Sequence, residues 1–343
     1  MPRKKTDDDT ADAPRHKIYD FDRTLIKKNC RVIFTGASES GKSTAMLQWL
    51  KWTMPFASLA IVFCGSLDTA EEYAFHTPGS FVFCPESTTM EKKHYDYIEK
   101  LLAKQQVDKA MGKLKQIVLI IDDLAHDSKF MKSPLMRKLL FAGRHFGITL
   151  FVAQQDVLCL PRPVRGCFNF VVHSKENSMT ARQRIYEAYP GVLAPFENFN
   201  RVFTAMTGGE DGDDYGQLVL YNGQGRGSKI ENNVWWMKAP FPVSKFRINK
   251  RSRMWKWHDK HFDTLHALRQ SQYGAEIIER MRLGKKGKQA DKKKENTSGI
   301  IKAKRKKPKK SKKSKRRKKE KREQVKIAAR SSTPFLFPPR SRC

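Results

Sequence analysis

Short, continuous apolar runs alternate with longer amphipathic stretches along the first two thirds of this chain. The apolar runs are bounded by turn residues, and they predict buried strands at 30–35, 59–64, 80–84, 117–121, 148–153 and 168–173. Stretches between several of these runs predict helices at 42–51, 90–111, 133–145 and 178–189. Strands that alternate with helices at this spacing predict an α/β fold whose central sheet is mainly parallel and is flanked by helices.

The later part of the chain is less regular. Two more strands are predicted at 202–206 and 217–221, on either side of a loop at 208–216 that is rich in Gly and Asp. A basic helix is predicted over 255–282, and the Lys/Arg-rich composition that follows is typical of disorder. These changes divide the chain into a polar N-terminal arm (1–22), a core (23–245), a basic helical extension (246–283) and a disordered basic tail (284–343).

Positive charge is concentrated at one end. The net charge is +33, and residues 283–343 account for +22 of it with 26 Lys/Arg and four Asp/Glu. This distribution favours a polyanionic partner, most simply nucleic acid. The six cysteines form no C-x-x-C pair, which predicts a reducing, intracellular environment. No apolar run reaches the ~18 residues of a membrane span and the N-terminus lacks the apolar core of a signal peptide, so we expect no membrane partner.

The segment after the first predicted strand matches G-x-x-x-x-G-K-[ST], the pattern of a phosphate-binding loop (P-loop). Gly36 and Gly41 allow tight turns that aim backbone N–H groups at phosphate oxygens, and the following helix adds its positive end. Lys42 is predicted to reach the β- and γ-phosphates and Ser43 to bind Mg²⁺. The alternative is a glycine-rich turn with no ligand. The predicted nucleotide-binding residues are Gly36, Ala37, Ser38, Glu39, Ser40, Gly41, Lys42, Ser43 and Thr44.

A second motif ends the apolar run at 117–121. Asp122 and Asp123 follow that run, as in a Walker B motif, where the first acid holds Mg²⁺ and the second polarises water as a general base. The other interpretation is a pair of acids that open a turn. The P-loop lysine lies 80 residues earlier, which leaves room for an extra strand between the two motifs, as in the additional-strand class of P-loop ATPases.

A third motif ends the next strand. Gln154 lies 32 residues after Asp122, where its carboxamide would sense the γ-phosphate or orient water. A simple local cap is the alternative role.

Together these motifs resemble the FtsK/HerA branch of ATPases, and more narrowly the genome-packaging ATPases of poxviruses, other large eukaryotic DNA viruses and virophage- or polinton-like elements. The resemblance covers about residues 25–240. It rests on the P-loop, the acid pair, Gln154, the Gly-Arg-His-Phe-Gly-Ile segment from Gly143, and the Leu-Pro-Arg-Pro-Val-Arg segment from Leu160. The Gly-Arg-His segment followed by a strand and Gln is the most discriminating part.

The resemblance implies an ATP- and Mg²⁺-dependent motor, a ring of identical subunits that threads double-stranded DNA into a preformed capsid. Many cellular members have Glu where Asp123 stands. Such motors also use an arginine from the neighbouring subunit to stabilise the transition state. The candidates here are Arg144, Arg162 and Arg165, and each fits a surface or phosphate-contacting arginine equally well.

The basic tail leaves several roles open. Its blocks at 302–307 and 312–319 suit binding to nucleic acid without sequence preference, and they suit nuclear import equally well. Trp255 and Trp257 either stack on bases or belong to the core. A helicase or DNA-pumping ATPase of replication, and a virion DNA-condensing protein, are the alternative functions. The expected location is the host nucleus or a cytoplasmic virus factory, with association with the virion as a further option.

Overall fold

A computed structural model describes residues 17–85, 88–124, 127–208, 215–223 and 225–262. Within these ranges no helix combines the length and apolar character of a membrane span. The strands are β1 (Tyr19–Asp20), β2 (Arg31–Thr35), β3 (Leu59–Cys64), β4 (Val82–Phe83), β5 (Ile117–Asp122), β6 (Ile148–Gln154), β7 (Phe170–His173), β8 (Gly216–Tyr221) and β9 (Val234–Lys238). The α-helices are α1 (Lys42–Trp52), α2 (Leu67–Ala74), α3 (Lys92–Ala110), α4 (Ser128–Met131), α5 (Pro134–Ala142), α6 (Arg162–Arg165), α7 (Met179–Ala188), α8 (Phe196–Thr207) and α9 (Arg253–His261).

All of these strands join one sheet in the order β1-β9-β8-β7-β2-β6-β5-β3-β4. The six strands from β7 to β4 are parallel, β8 is antiparallel to β7, and β9 is antiparallel to β8. The predicted α/β fold with a mainly parallel sheet is therefore confirmed. Strand β6 lies between β2, which leads into the P-loop, and β5, which ends in Asp122. An additional strand therefore separates the strands of the two motifs, as in the additional-strand class, although it follows Asp122 in the chain, and the interval between the motifs holds β3 and β4 instead.

The sheet is covered by an apolar core on each face. Successive β5 residues alternate between them, so that Leu119 and Ile121 join one core while Val118 and Ile120 join the other. Helices α1 and α2 cover the second face, and α3, α5 and α8 cover the first. Continuous apolar strands arise because both faces are buried.

Helix α5 shows why some element ends follow from sequence. The Ser133 side chain accepts a hydrogen bond from the Met136 backbone N–H at 3.1 Å, and Pro134 occupies the first helical position, as predicted. The helix ends at Ala142, and a 3₁₀ turn over Gly143–Phe146 replaces its expected last turn.

The strand predicted at 202–206 is wrong, because these residues belong to α8. The buried side chains of Phe199, Val202 and Phe203 are three and four residues apart and form one helical face. A five-residue apolar run carries no period of its own, and the upstream phenylalanines decide in favour of a helix. Strand β9, with Trp235 and Trp236, lay outside the predicted elements. Six residues of the predicted loop at 208–216, 209–214, lie outside the described residues.

The predicted division of the chain needs two corrections. The end of the supposed N-terminal arm belongs to the core, because Tyr19 and Asp20 pair with β9 and the buried Phe21 ring stacks on Trp49 at 4.8 Å. The described part of the basic extension also packs on the core. There the Trp255 indole is buried and donates to the Ile248 carbonyl at 2.9 Å. Residues 1–16, 263–283 and the tail at 284–343 lie outside the described residues.

Candidate nucleotide-binding site

The loop between β2 and α1 has a backbone that glycine makes possible. Gly36 has φ +144° and Gly41 has φ +83°, and the loop also holds Glu39 at φ +60°. A Cβ on Gly36 would lie 2.8 Å from the Ser40 hydroxyl oxygen, which itself donates to the Ala37 carbonyl at 2.7 Å. The loop is therefore a closed turn that leads directly into α1, as a P-loop requires.

Lys42 lies inside this turn. Its Nζ donates to the carbonyl oxygens of Gly36, at 2.9 Å, and of Ala37. Burial lowers the pKa of the ammonium, and nearby carboxylates oppose that shift, in the order Asp122, Asp123 and Glu176. An ammonium group has three donors, so one remains for a phosphate oxygen. The Lys42 side chain is thus a buried cation close to Asp122, which ends β5, and to the adjacent Asp123.

Asp122 joins the acid strand to the P-loop. Its carboxylate is buried at the end of β5 and accepts a hydrogen bond from the Tyr73 hydroxyl at 3.0 Å. Burial raises its pKa to about 6, the side chains of Tyr73 and Ser43 oppose that rise, and the Asp123 charge adds to it. The structure therefore brings Lys42, Ser43 and Asp122 together, as the motifs predict. Tyr73 was missed by the sequence analysis.

The Ser43–Asp122 pair has the chemistry of a magnesium site. Hydroxyl and carboxylate oxygens are ligands that Mg²⁺ prefers, and the Ser43 side chain lies close enough to Asp122 to lower the pKa of its carboxyl. A cation would also stabilise the ionised form of a buried carboxylate that stands beside a second one. The donor set fits the predicted metal.

Asp123 leaves the strand in a left-handed backbone conformation with φ +54°. Its backbone crosses Gly65 so closely that a Cβ on that glycine would lie 2.5 Å from the Asp123 carbonyl oxygen. The Asp123 carboxylate accepts a hydrogen bond from Gln155 Nε2 at 3.1 Å. The second acid is therefore held on its backbone side by Gly65 and on its side-chain side by Gln155.

The structure places Gln154 differently from Gln155. The Gln154 side chain is buried on the face away from α1, with Nε2 4.0 Å from the Met131 sulfur and an amide oxygen without a partner in the described part of the chain. Thr35 in β2 is paired with Gln154 in β6 on one side and with His173 in β7 on the other. The Thr35 hydroxyl and His173 Nδ1 are 2.6 Å apart. Gln155 is the amide in contact with Asp123. Strand alternation is the signal that could have found it, because Gln154 continues the face of Leu150 and Val152.

The three candidate arginines lie away from the P-loop of their own chain. Arg144 is exposed in the 3₁₀ turn before β6, at the amino ends of the parallel strands, and the P-loop lies at their carboxyl ends. Arg162 is exposed in α6, which precedes β7, and Arg165 Nε donates to the Leu160 carbonyl at 3.0 Å. An intersubunit role for any of them stays a prediction.

Gly65→Ala is expected to displace Asp123 by pushing on its backbone. The new methyl group would clash with the Asp123 carbonyl oxygen. Because this oxygen belongs to the backbone and cannot rotate away as a side chain can, the Asp123 backbone must move. We expect a loss of about 1–3 kcal/mol in the free energy of unfolding. A displacement of the acid by about 1 Å is expected to lower ATP turnover up to 100-fold. Urea unfolding and steady-state turnover measure the two effects.

Gly166→Ala is the matched control, because no heavy atom lies within 4 Å of the Cβ that it would add. Equal effects at the two glycines would contradict the assignment of Gly65 as a support for Asp123.

The strand order and the P-loop give this chain the fold of the additional-strand P-loop NTPases, and its motif order resembles that of FtsK/HerA-type ATPases. No protein-family model matches the chain. The chain is similar to an uncharacterized protein of Invertebrate iridescent virus 6, with 23% identity over 67% of this chain and 88% of the relative. A second relative, an uncharacterized protein of Frog virus 3, is 24% identical over 71% of each chain. Among solved structures, the genome packaging NTPase B204 of Sulfolobus turreted icosahedral virus 2 matches 62% of this chain and 98% of its own, with 18% identity and a TM-score of 0.41.

Proposed function

We propose that this chain is an ATPase that translocates double-stranded DNA, and that it packages a viral genome into a capsid. One observation carries the ATPase part: the parallel orientation of β2, which leads into the P-loop, and β5, which ends in the buried Asp122. It brings the two phosphate-handling motifs to one edge of a sheet in which β6 separates their strands. The resemblance of the motifs to packaging ATPases supports the finer assignment.

The binding step follows from the P-loop. Backbone N–H groups of the loop and the N-terminus of α1 bind the phosphates, and Lys42 donates to the β- and γ-phosphate oxygens. Ser43 and Asp122 hold Mg²⁺, which neutralises charge on the phosphates when it is bound. The buried position of Lys42 and Asp122 strengthens these electrostatic contacts, because little water remains to screen them.

The hydrolytic step is assigned to Asp123. Its carboxylate accepts the proton of the attacking water, and the Gln155 amide fixes the orientation of the carboxylate by the 3.1 Å hydrogen bond. Gln154 was predicted to orient water or sense the γ-phosphate. Because the Gln154 side chain is buried against Met131, Gln154 can affect the nucleotide at most indirectly, through the paired residues Thr35 and His173.

A DNA partner is supported by the exposed face of α9. Trp255 is buried, whereas Trp257 is 57% exposed, so the two predicted stacking residues have different roles. Trp257 shares its side of the helix with exposed basic residues, and this face complements a phosphate backbone. The exposed basic residues of the helix are Arg253, Lys256, Lys260 and His261.

The packaging role adds partners and a location. Relatives encoded by an iridescent virus and by Frog virus 3 support a viral origin for the activity. We propose a homo-oligomeric ring that uses Arg144, Arg162 or Arg165 in trans and engages capsid proteins. The proposed location is the host nucleus or a cytoplasmic virus factory, with some protein in the virion.

ATP turnover measured without DNA, with single-stranded DNA and with duplex DNA tests the proposal. We expect turnover that duplex DNA stimulates several-fold, and no strand separation in a parallel assay. Efficient unwinding would favour a helicase. DNA condensation without any hydrolysis would favour a condensing protein, and removal of residues 284–343 tests whether that condensation depends on the tail. Either outcome contradicts the packaging motor.

A further inference from the structure

A cavity of about 1100 Å³ opens beside the P-loop. Its volume is comparable with those of the larger small-molecule sites in proteins. The P-loop forms one wall, and aromatic side chains from other parts of the chain form much of the rest. Those aromatic residues are Phe21, Trp52, Tyr215, Trp236 and Phe241.

The strand order fixes which part of a nucleotide this cavity would meet. Tyr215 directly precedes β8 and Trp236 lies in β9, on one side of β2, while Asp122 lies on the other side beyond β6. A triphosphate that crosses the P-loop with its terminal group near Asp122 therefore directs its other end towards β8 and β9. That other end is the nucleoside.

Tyr215 is the aromatic residue that lies against the P-loop. A Cβ on Gly41 would be 3.3 Å from Tyr215 Cδ1, so the ring borders the loop directly. Its backbone is held, because Gln217 Nε2 donates to the Tyr215 carbonyl at 2.6 Å. The side chain is nevertheless 54% exposed, and a planar ligand that covered the ring would bury apolar surface.

The other aromatic residues differ from Tyr215 in what they contact. The Trp52 ring packs against Phe21 at 5.9 Å, and the Trp236 indole donates to the Met206 carbonyl at 3.0 Å. Both are engaged by the protein itself. Phe241 is 86% exposed and offers a second open ring at the cavity.

We propose that the cavity binds the nucleobase and ribose of the nucleotide, and that the Tyr215 ring stacks on the base. The inference rests on the proposed function, because it takes the P-loop as the site of the triphosphate. Stacking accepts any base, since every base has a π-face. Tyr215 therefore contributes affinity for nucleoside triphosphates as a class rather than selectivity for adenine.

Binding of ATP and of inorganic tripolyphosphate, measured side by side by calorimetry, tests the inference. We expect Tyr215→Ala to weaken ATP binding roughly tenfold, the effect of one base–aromatic contact, and to leave tripolyphosphate binding unchanged. Tyr215→Phe keeps the ring and should bind both ligands as the wild type does. Tyr215→Leu keeps apolar bulk without a ring and should resemble Tyr215→Ala, and thermal melts confirm folding of each variant.

The inference is overturned if Tyr215→Ala binds ATP like the wild type, or if it loses ATP and tripolyphosphate to the same degree. Lys42→Ala separates this outcome from failure of the proposed function. That variant should lose both ligands, because both carry the phosphates that Lys42 contacts. Wild-type tripolyphosphate binding by Lys42→Ala would contradict the P-loop assignment itself.

Discussion

Lys42→Ala is expected to reduce ATP turnover by about 100-fold or more, the effect of removing one preorganised donor to developing negative charge. The fold should persist. Alanine leaves the Gly36 and Ala37 carbonyls without their donor, at a cost of about 1–3 kcal/mol, and it also removes a buried charge, which offsets part of that cost. Steady-state turnover and a thermal melt measure the two effects.

Lys51→Ala is the matched control for this lysine. Lys51 lies in the last turn of the same helix, and its Nζ contacts the Ser244 hydroxyl at 2.5 Å rather than the loop. Its removal should leave turnover within about twofold of the wild type, since a surface contact contributes little. A Lys42→Ala protein that retained a tenth or more of its turnover would show that the lysine does not handle the transferred phosphate.

Asp123→Asn is expected to lower turnover by about 10²–10⁴-fold while nucleotide binding persists, because the amide cannot accept the proton of the attacking water. Asp122→Asn should differ, since it removes a ligand of Mg²⁺ and so weakens Mg²⁺-dependent nucleotide binding as well. Single-turnover kinetics combined with binding of a fluorescent nucleotide separates the two variants.

Asp68→Asn serves as the control for these substitutions, because Asp68 is an exposed carboxylate in the first turn of α2. It should behave as the wild type. If Asp123→Asn kept turnover within about threefold, the base would have to be another group, and the Gln155–Asp123 hydrogen bond would then have only a structural role.

The central strands and the junction of the two motifs could be predicted because each depends on local sequence. The run from Ile117 to Ile121 is apolar at every position because both faces of β5 are buried, and burial ends at the second acid, Asp123. The Gly-Lys-Ser pattern likewise predicts the backbone conformation of the loop that contains it. Strand β6 was predicted from its own apolar run, whereas the spacing of the motifs did not place it between β2 and β5, because it follows Asp122 in the chain.

Other features depended on contacts between distant residues and could not be predicted. The choice between Gln154 and Gln155 depends on where β6 ends, and a shift of one residue reverses the direction of a side chain. Tyr73 reaches Asp122 only because α2 packs on the same face of the sheet as α1. Strand β1 forms because it pairs with the edge strand β9, and Phe21 is buried because its ring packs on the Trp49 ring.

The position of the candidate arginines has a consequence for symmetry. In each chain the nucleotide edge of the sheet and the edge that carries Arg144 are opposite. A neighbour can supply that arginine only if its amino edge approaches the nucleotide edge of the first subunit. Where these two edges alone meet, the contact joins two different surfaces, and a two-fold axis does not generate such a contact. Contacts of this kind repeat head to tail, and they close into a cycle when the rotation between subunits divides a full turn.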